Sequence, residues 1–406
     1  MSGAIKFFLF ILAVAAFIGG ITKVLTVLFA ALAAIFAITF AYFWNENVFK
    51  RLEVKRKIIP ARVNFGEVID YEITLENRKF LPVPWLRMEE MVSEGLNFVK
   101  SGVLREPLGK NTNVFEDILS LKWYERVKRS YQIVPEERGL FLFGPAELRY
   151  KGILGFFNNN KRYEKRIKLI VYPRVLPFSK DSIEPRFLFG SKPRRGWIYT
   201  DPLNTIGVRP YRNTDSIRKI NWKSSVRHQR LESDIYHPSY DPEIHLFLDA
   251  ARGRAWWEKE ARNEFELAVI CAASITEKAF KKSYEIGFYT NAEQQGRGRQ
   301  KVISSNPNSQ QRVLRTLALL RPFGAGKISR LMRDERHEIK PGSTVIVIST
   351  SSEKDIREIL SDYARRYRLI VIWVGQEDLK APRGADYLYL EGDERWDEIE
   401  TLQFSN

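Results

Sequence analysis

The densest group of residues able to do chemistry lies between Gly207 and Arg227, where Arg209, Tyr211, Asp215, Arg218, Trp222, Ser225 and Arg227 fall within one short stretch. Guanidinium groups make charge-assisted, often bidentate hydrogen bonds to carboxylates and phosphates, and tryptophan is a common interface anchor. One use of the segment is therefore a docking surface, with Arg209, Asp215, Arg218 and Arg227 giving the polar contacts and Trp222 the apolar one. The other is a structural network in which Asp215 pairs with arginines, Trp222 is buried and the segment fastens neighbouring domains together; this is the default expectation. The two uses differ in whether the arginines face solvent. Basic residues interleaved with Tyr211, Trp222 and Tyr236 could also hold single-stranded nucleic acid by stacking and phosphate contacts. No recognised nucleic-acid motif accompanies them, so that partner is not expected.

Few other groups invite a reaction. Pro322–Ser329 contains Gly324, Gly326 and Lys327 but lacks the Gly-x4-Gly-Lys-Ser/Thr spacing of a phosphate loop, and a helix-to-helix turn is expected there. His228, His237 and His245 are spread too evenly for a local ligand motif, and His337 stands alone. Cys271 is the single cysteine, which rules out an intramolecular disulfide; between Ala268 and Ile275 it reads as a small buried core residue. Gly296–Lys301 reads as a solvated basic loop. No Ser/His/Asp or paired-carboxylate arrangement emerges, so a non-enzymatic chain without a cofactor is expected.

The elements that would carry these residues begin with an apolar stretch. From Ile5 to Trp44 the only charged side chains are Lys6 and Lys23. About 20 apolar residues cross a bilayer core, so this length predicts two crossings, broken at Gly19-Gly20 and Thr22-Lys23. Tyr42 and Trp44 are placed as interfacial aromatics. Lys50, Arg51, Lys55, Arg56 and Lys57 follow, and the positive-inside rule then puts the remaining bulk in the cytoplasm of a multi-pass cell-membrane protein. The formal net charge of +16 is uneven: residues 1–240 carry 39 basic and 23 acidic side chains, whereas 241–406 carry 26 of each. The excess favours an anionic partner such as lipid headgroups, nucleic acid or an acidic protein surface, without choosing among them.

Residues 47–175 read as β structure, because Tyr71, Ile73 and Leu75 alternate with Glu72, Thr74 and Glu76, and Trp123 to Ile133 repeats the pattern. Short strands separated by Gly and Pro turns predict a β-sandwich. A basic, irregular segment, 176–240, leads through Lys192–Arg195 to the arginine cluster. From 241 to 406, continuously apolar strands such as Ile244–Leu248, Thr344–Ser349 and Leu369–Val374 alternate with amphipathic helices, which predicts a mostly parallel sheet covered on both faces, ending in an acidic helical tail. The expected fold class is thus multidomain: a transmembrane hairpin over 1–46, a sandwich and an α/β domain.

The run Arg209, Tyr211, Thr214, Asp215, Arg218, Ile220, Trp222, Ser225, Val226, Arg227 resembles the hallmark of the bacterial family called domain of unknown function 58, approximately Arg-x-Tyr-x-x-Gly-Asp-x-x-Arg-x-Ile-x-Trp-x-x-Ser-Ala-Arg. Thr214 and Val226 depart from its glycine and alanine. Arg138-Gly139, Gly144-Pro145, Leu154–Phe157 and Ile170–Pro173 are also similar to family segments. The resemblance implies a two-helix anchor, a β domain, a C-terminal domain similar to von Willebrand factor A and association with MoxR-type AAA+ ATPases. Such C-terminal domains often hold Mg²⁺ through Asp-x-Ser-x-Ser. Here the stretch is Asp249-Ala250-Ala251-Arg252-Gly253, which lacks both hydroxyls, so no metal is expected and Asp249 is assigned a structural hydrogen bond. The functional expectation is a membrane-tethered adaptor that docks such an ATPase or a client protein. The alternative is an envelope-associated enzyme or binding protein that uses the arginine segment on an anionic ligand.

Overall fold

The structure is a computed structural model, and it describes residues 3–99, 103–105, 112–152, 157–179, 200–213, 215–238, 243–250, 259–295, 301–306, 309–324, 326–340, 343–350, 354–375, 384–390 and 395–404. The expectations for 154–156, Lys192–Arg195, Thr214, 251–253 and 296–300 fall outside these residues. The chain divides into two units, Met1–Tyr172 and Pro173–Asn406.

The first unit opens with helices α1 (Gly3–Ile21) and α2 (Leu25–Asn47). They reverse at Lys23, whose φ is 56°, and the Val24 amide donates to Gly19 O at 3.0 Å. A Cβ on Gly19 would sit 3.0 Å from the Leu28 amide nitrogen, so glycine allows the close approach. At 1.5 Å per residue the 23 residues of α2 extend about 34 Å, and this helix is long and apolar enough to cross a membrane. The apolar helix Ile5–Ile21 falls short of that length. The sequence predicted two crossings; by length and composition, among the described residues, only the second helix qualifies.

Two sheets follow. One runs Leu52–Ile59, Ile69–Asn77, Arg126–Pro135, Leu96–Phe98; the other runs Arg62–Asn64, Ile167–Tyr172, Gly139–Lys151, Val83–Ser93, Thr112–Leu121, Val103–Arg105, with Asn158–Tyr163 also paired to Gly139–Lys151. Alternation holds in Ile69–Asn77, where Ile69, Tyr71, Ile73 and Leu75 are buried. These side chains share one apolar cluster with Met88, Phe115 and Phe143 from the second sheet, so the sandwich has a common core. Trp123 and Tyr124 lie in the turn before Arg126–Pro135 rather than within that strand, and both are exposed.

In the second unit the strands order as Lys301–Asn306, Glu285–Thr290, Glu243–Leu248, Thr344–Ser349, Arg368–Val374, Asp386–Leu390. Every neighbouring pair is parallel except the first, which is antiparallel, so the sheet is mixed. Its four inner strands are mainly apolar and buried almost throughout, as strands covered on both faces are. Leu246, Leu248, Ile346 and Ile348 join the cluster under helix Lys259–Lys281, and Phe247, Val345 and Val347 join the opposite cluster with Ile356, Leu360 and Tyr363 of helix Lys354–Arg366. Cys271 is fully buried in the first cluster, and burial pushes its thiol pKa upward.

Two local expectations are corrected. Leu320–Gly324 is a strand paired with Ala292–Gln294, so the glycine-containing segment joins a strand to helix Ile328–Asp334. The end of the chain is not helical among the described residues: Arg395–Glu398 turns, and Leu402 bridges Phe178. Apolar burial overrides the acidic helical pattern there, since Ile399, Leu402 and Phe404 enter the core and Phe404 stacks on Phe178 at 5.8 Å.

Candidate functional site

The arginine segment is the connection within an antiparallel hairpin of Thr200–Pro210 and Glu232–Pro238. Between these strands the chain makes a short 3-10 turn, Ile217–Lys219, and a two-turn helix α3, Trp222–His228. Pro210 ends the first strand and Asn221 starts α3, its side chain accepting from the Ser224 amide at 2.9 Å as an N-cap. Gln229, with φ 50°, closes the helix.

Two polar knots hold this excursion. In the first, Arg209 Nη2 donates to Asp215 Oδ1 at 2.6 Å, the Arg212 amide donates to Asp215 Oδ2 at 3.0 Å, and Tyr211 OH donates to the Asp215 carbonyl at 3.0 Å. The Arg212 amide, with help from the Arg209 guanidinium, holds the Asp215 carboxyl below its ordinary pKa. In the second, buried Ser225 donates to Asn221 O at 2.7 Å and accepts from the Glu232 amide at 2.9 Å. The buried Glu232 carboxylate takes the Ser224 hydroxyl at 2.5 Å, His228 Nδ1 lies 3.1 Å away, and Arg230 Nε donates at 3.3 Å. The Ser224 hydroxyl leads in lowering the Glu232 pKa. Asn221 Nδ2 adds a bond to Asp234 Oδ1 at 2.7 Å.

The predicted residues therefore separate. Arg209, Tyr211, Asp215 and Ser225 are internal fasteners of the hairpin. Trp222 does not follow the structural expectation of burial: its residue is 63% exposed, because Ser225 is the one residue of α3 that is buried. Arg218 and Arg227 are also exposed, and neither makes a hydrogen bond or ion pair with the described residues. Ile217 and Val226 are exposed beside them in sequence. The hub Glu232 and the cap Asn221 were not singled out from sequence; asparagine directly before the apolar Trp222 is a helix-start residue type that points to Asn221, whereas nothing local marks Glu232.

A second polar cluster lies past the ends of Glu243–Leu248 and Thr344–Ser349, the position in a parallel sheet where strand order reverses. Asn291 Nδ2 donates to Asp249 Oδ1 at 2.7 Å and Ser349 Oγ donates to Asp249 Oδ2 at 2.8 Å, with all three residues buried. Asn291 also takes the Ala250 amide at 2.7 Å and donates to Gly326 O at 2.9 Å. A Cβ on Gly324 would lie 2.6 Å from Ala250 O, so this packing requires glycine. Both oxygens of Asp249 accept hydrogen bonds from these donors, and among the described residues no group of three His, Cys, Asp or Glu could hold a metal ion.

The hairpin excursion and the mixed sheet fall within one matched region. Residues 207–394 match the family of proteins of unknown function DUF58. The match supports the DUF58 family, beginning at Gly207 just before the Arg209–Asp215 pair and running through the last strand of the sheet. No curated protein matches the chain. Solved structures similar to part of the chain include a CARDB domain from Pyrococcus furiosus, at 16% identity and TM-score 0.20, covering 30% of this chain and 91% of that one. Domains D2 and D3 of the major pilin SpaD from Corynebacterium diphtheriae match at 10% identity and TM-score 0.22, covering 29% and 51%. A cohesin module from Clostridium perfringens matches at 9% and 0.21, covering 30% and 95%. Likenesses at these TM-scores carry no argument about function.

Proposed function

We propose that the chain is a membrane-tethered, non-enzymatic adaptor whose DUF58 region docks a protein partner, a MoxR-type AAA+ ATPase or its client, through the exposed face of the 217–227 segment. The observation that carries this reading is Trp222, exposed on α3 between Arg218 and Arg227, which are themselves exposed. An apolar anchor framed by guanidinium groups suits an acidic protein surface, since aromatic and arginine side chains dominate interface energetics. The two polar knots beneath it fix the backbone in advance, which lowers the entropy cost of association.

In this reading both apolar helices cross the membrane, the basic residues after α2 keep the bulk of the chain cytoplasmic, and the mixed sheet serves as a scaffold similar to von Willebrand factor A. The test is crosslinking mass spectrometry on native membranes holding the tagged full-length protein, with Trp222→Ala and Arg218→Ala run in parallel. An AAA+ ATPase crosslinked near 217–227, and depleted about tenfold or more in Trp222→Ala, is expected for an anchor contributing about 2 kcal/mol. Crosslinks unchanged by both substitutions, or reproducible capture of an unrelated class in place of the ATPase, would defeat the reading. Failure to find any protein partner would turn attention to an anionic ligand for the exposed arginines.

A further inference from the structure

At the end of the β-sandwich where α2 enters, two loops expose aromatic rings that no internal contact requires. Phe80 is 71% exposed, Trp123 58% and Tyr124 69%, and the Phe80 and Trp123 rings stack 5.4 Å apart and nearly parallel, at 2°. The loops are fastened to each other: the Tyr124 amide donates to Lys79 O at 3.1 Å, and buried Asn77 donates from Nδ2 to Leu81 O at 2.9 Å and to Lys122 O at 2.7 Å.

The same loops hold the end of the membrane helix. Lys79 Nζ donates to the carbonyls of Asn47 and Lys50, each at 2.9 Å, and to Val48 O, gathering carbonyls at and just past the end of α2. Trp44 Nε1 donates to Pro82 O at 3.1 Å. Tyr42 packs edge-on against Phe157 at 5.7 Å, and Asn159 Nδ2 donates to Asn45 O at 2.8 Å. Tyr42 and Trp44, expected as interfacial aromatics, are also joints between helix and sandwich. The joint fixes depth: Phe80 is flanked by the lysine that holds the end of α2 and, two residues on, by the proline that receives Trp44.

We infer that the loops carrying Phe80, Trp123 and Tyr124 dip into the interface of the bilayer crossed by α2 and seat the β-sandwich on an anionic membrane surface. The inference rests on the reading of α2 as a membrane span. Tryptophan, tyrosine and phenylalanine rings favour the headgroup level, where an apolar body and a polar edge are both satisfied. Exposed Lys50, Arg51 and Lys122 frame the rings with the positive charge that anionic headgroups attract. A lipid surface fits better than a protein partner because the patch continues directly from the interfacial end of α2, at the level of Trp44.

The experiment places a nitroxide at Phe80→Cys and, separately, at Tyr124→Cys in the full chain, reconstituted in nanodiscs of phosphatidylcholine and phosphatidylglycerol. Cys271 is fully buried and leaves the engineered thiols as the reactive ones. Collision with oxygen, which concentrates in lipid, is compared with collision with a water-soluble nickel chelate. Phe36→Cys on α2 gives the lipid reference. Val68→Cys gives the aqueous one: strand Leu52–Ile59 pairs Leu52 with Asn77 and Ile59 with Asp70, which puts Val68 about 25 Å away along the strands. Oxygen-to-nickel ratios at 80 and 124 clearly above that at 68 are expected. Ratios equal to the one at 68 would overturn the inference while α2 still reads as a span. Protection from both reagents would replace the bilayer with a protein cover and overturn it too, and an aqueous ratio at Phe36 would remove α2 and the inference together.

Discussion

Arg56 and Glu90 meet inside the sandwich with side chains only 5% and 0% exposed, and Tyr71 OH donates to the same carboxylate. Burial pushes the Glu90 pKa up, and the Arg56 guanidinium and the Tyr71 hydroxyl work against that rise. Arg56 also donates from Nη2 to Lys165 O at 2.6 Å, so its charge is committed on two sides. Breaking such a pair leaves one charge buried without compensation, which costs more than the pair itself contributes. Glu90→Gln should therefore lower stability by about 3 kcal/mol or more, while Arg56→Met with Glu90→Leu should recover most of the loss. Thermal unfolding of the three proteins in one detergent decides this; a single variant as stable as the parent would show that the buried charge matters little. Trp222 is the opposite case, since truncating an exposed ring should leave stability within about 0.5 kcal/mol and act on partner capture alone.

Elements differ in how far sequence reveals them. Ile69–Asn77 and the parallel strands of the mixed sheet were legible because alternation or continuous apolarity is a local signal of one or two covered faces, whereas the antiparallel edge strand Lys301–Asn306, largely polar, was not. The hairpin of Thr200–Pro210 and Glu232–Pro238 was not, because its strands are polar and contain Pro202, and its closure depends on Glu232 reaching back to Ser224. Nor could the pattern show which way Trp222 points: the helix turns Ser225 inward, and a seven-residue helix has one inward side. The cluster at Asp249 lies further out of reach, since its partners Asn291 and Ser349 are 42 and 100 positions away. At this scale Asn221 is the test of the hairpin. Asn221→Ala removes the α3 cap and the bond to Asp234, and should cost about 1 kcal/mol or somewhat more. Faster amide exchange confined to 221–232 is expected; exchange unchanged there would mean the Ser225 and Glu232 bonds suffice.

Across the whole molecule the two units carry different responses to acid. In the second, Asp215 and Glu232 have lowered pKa values, and Glu243 is held at about 2 although burial alone would raise it, because His245 lies 3.3 Å away and Lys340 Nζ 3.3 Å away. A carboxylate with a depressed folded pKa stabilises the fold above its unfolded pKa of about 4, and that contribution is lost as pH falls through the folded value. In the first unit Glu90 has the reverse sign. Its folded pKa lies above the unfolded one, so protonation is easier in the folded state and acid does not withdraw support from that group. Glu67, Glu76 and Glu147 of the first unit also have lowered values, but each is more exposed than Asp215, Glu232 and Glu243, so screening leaves them less weight. Stepwise acidification from pH 6 towards about pH 2 should therefore loosen Pro173–Asn406 before Met1–Tyr172, beginning below about pH 4 as Asp215, Glu232 and Glu243 lose charge. Peptide-resolved hydrogen exchange reads the order directly. Glu243→Gln should be less stable at neutral pH and should flatten the lowest part of the acid response in the second unit alone. Loosening of the sandwich first would mean that its buried Arg56–Glu90 pair, rather than the carboxylates of the DUF58 region, sets the acid limit of the chain.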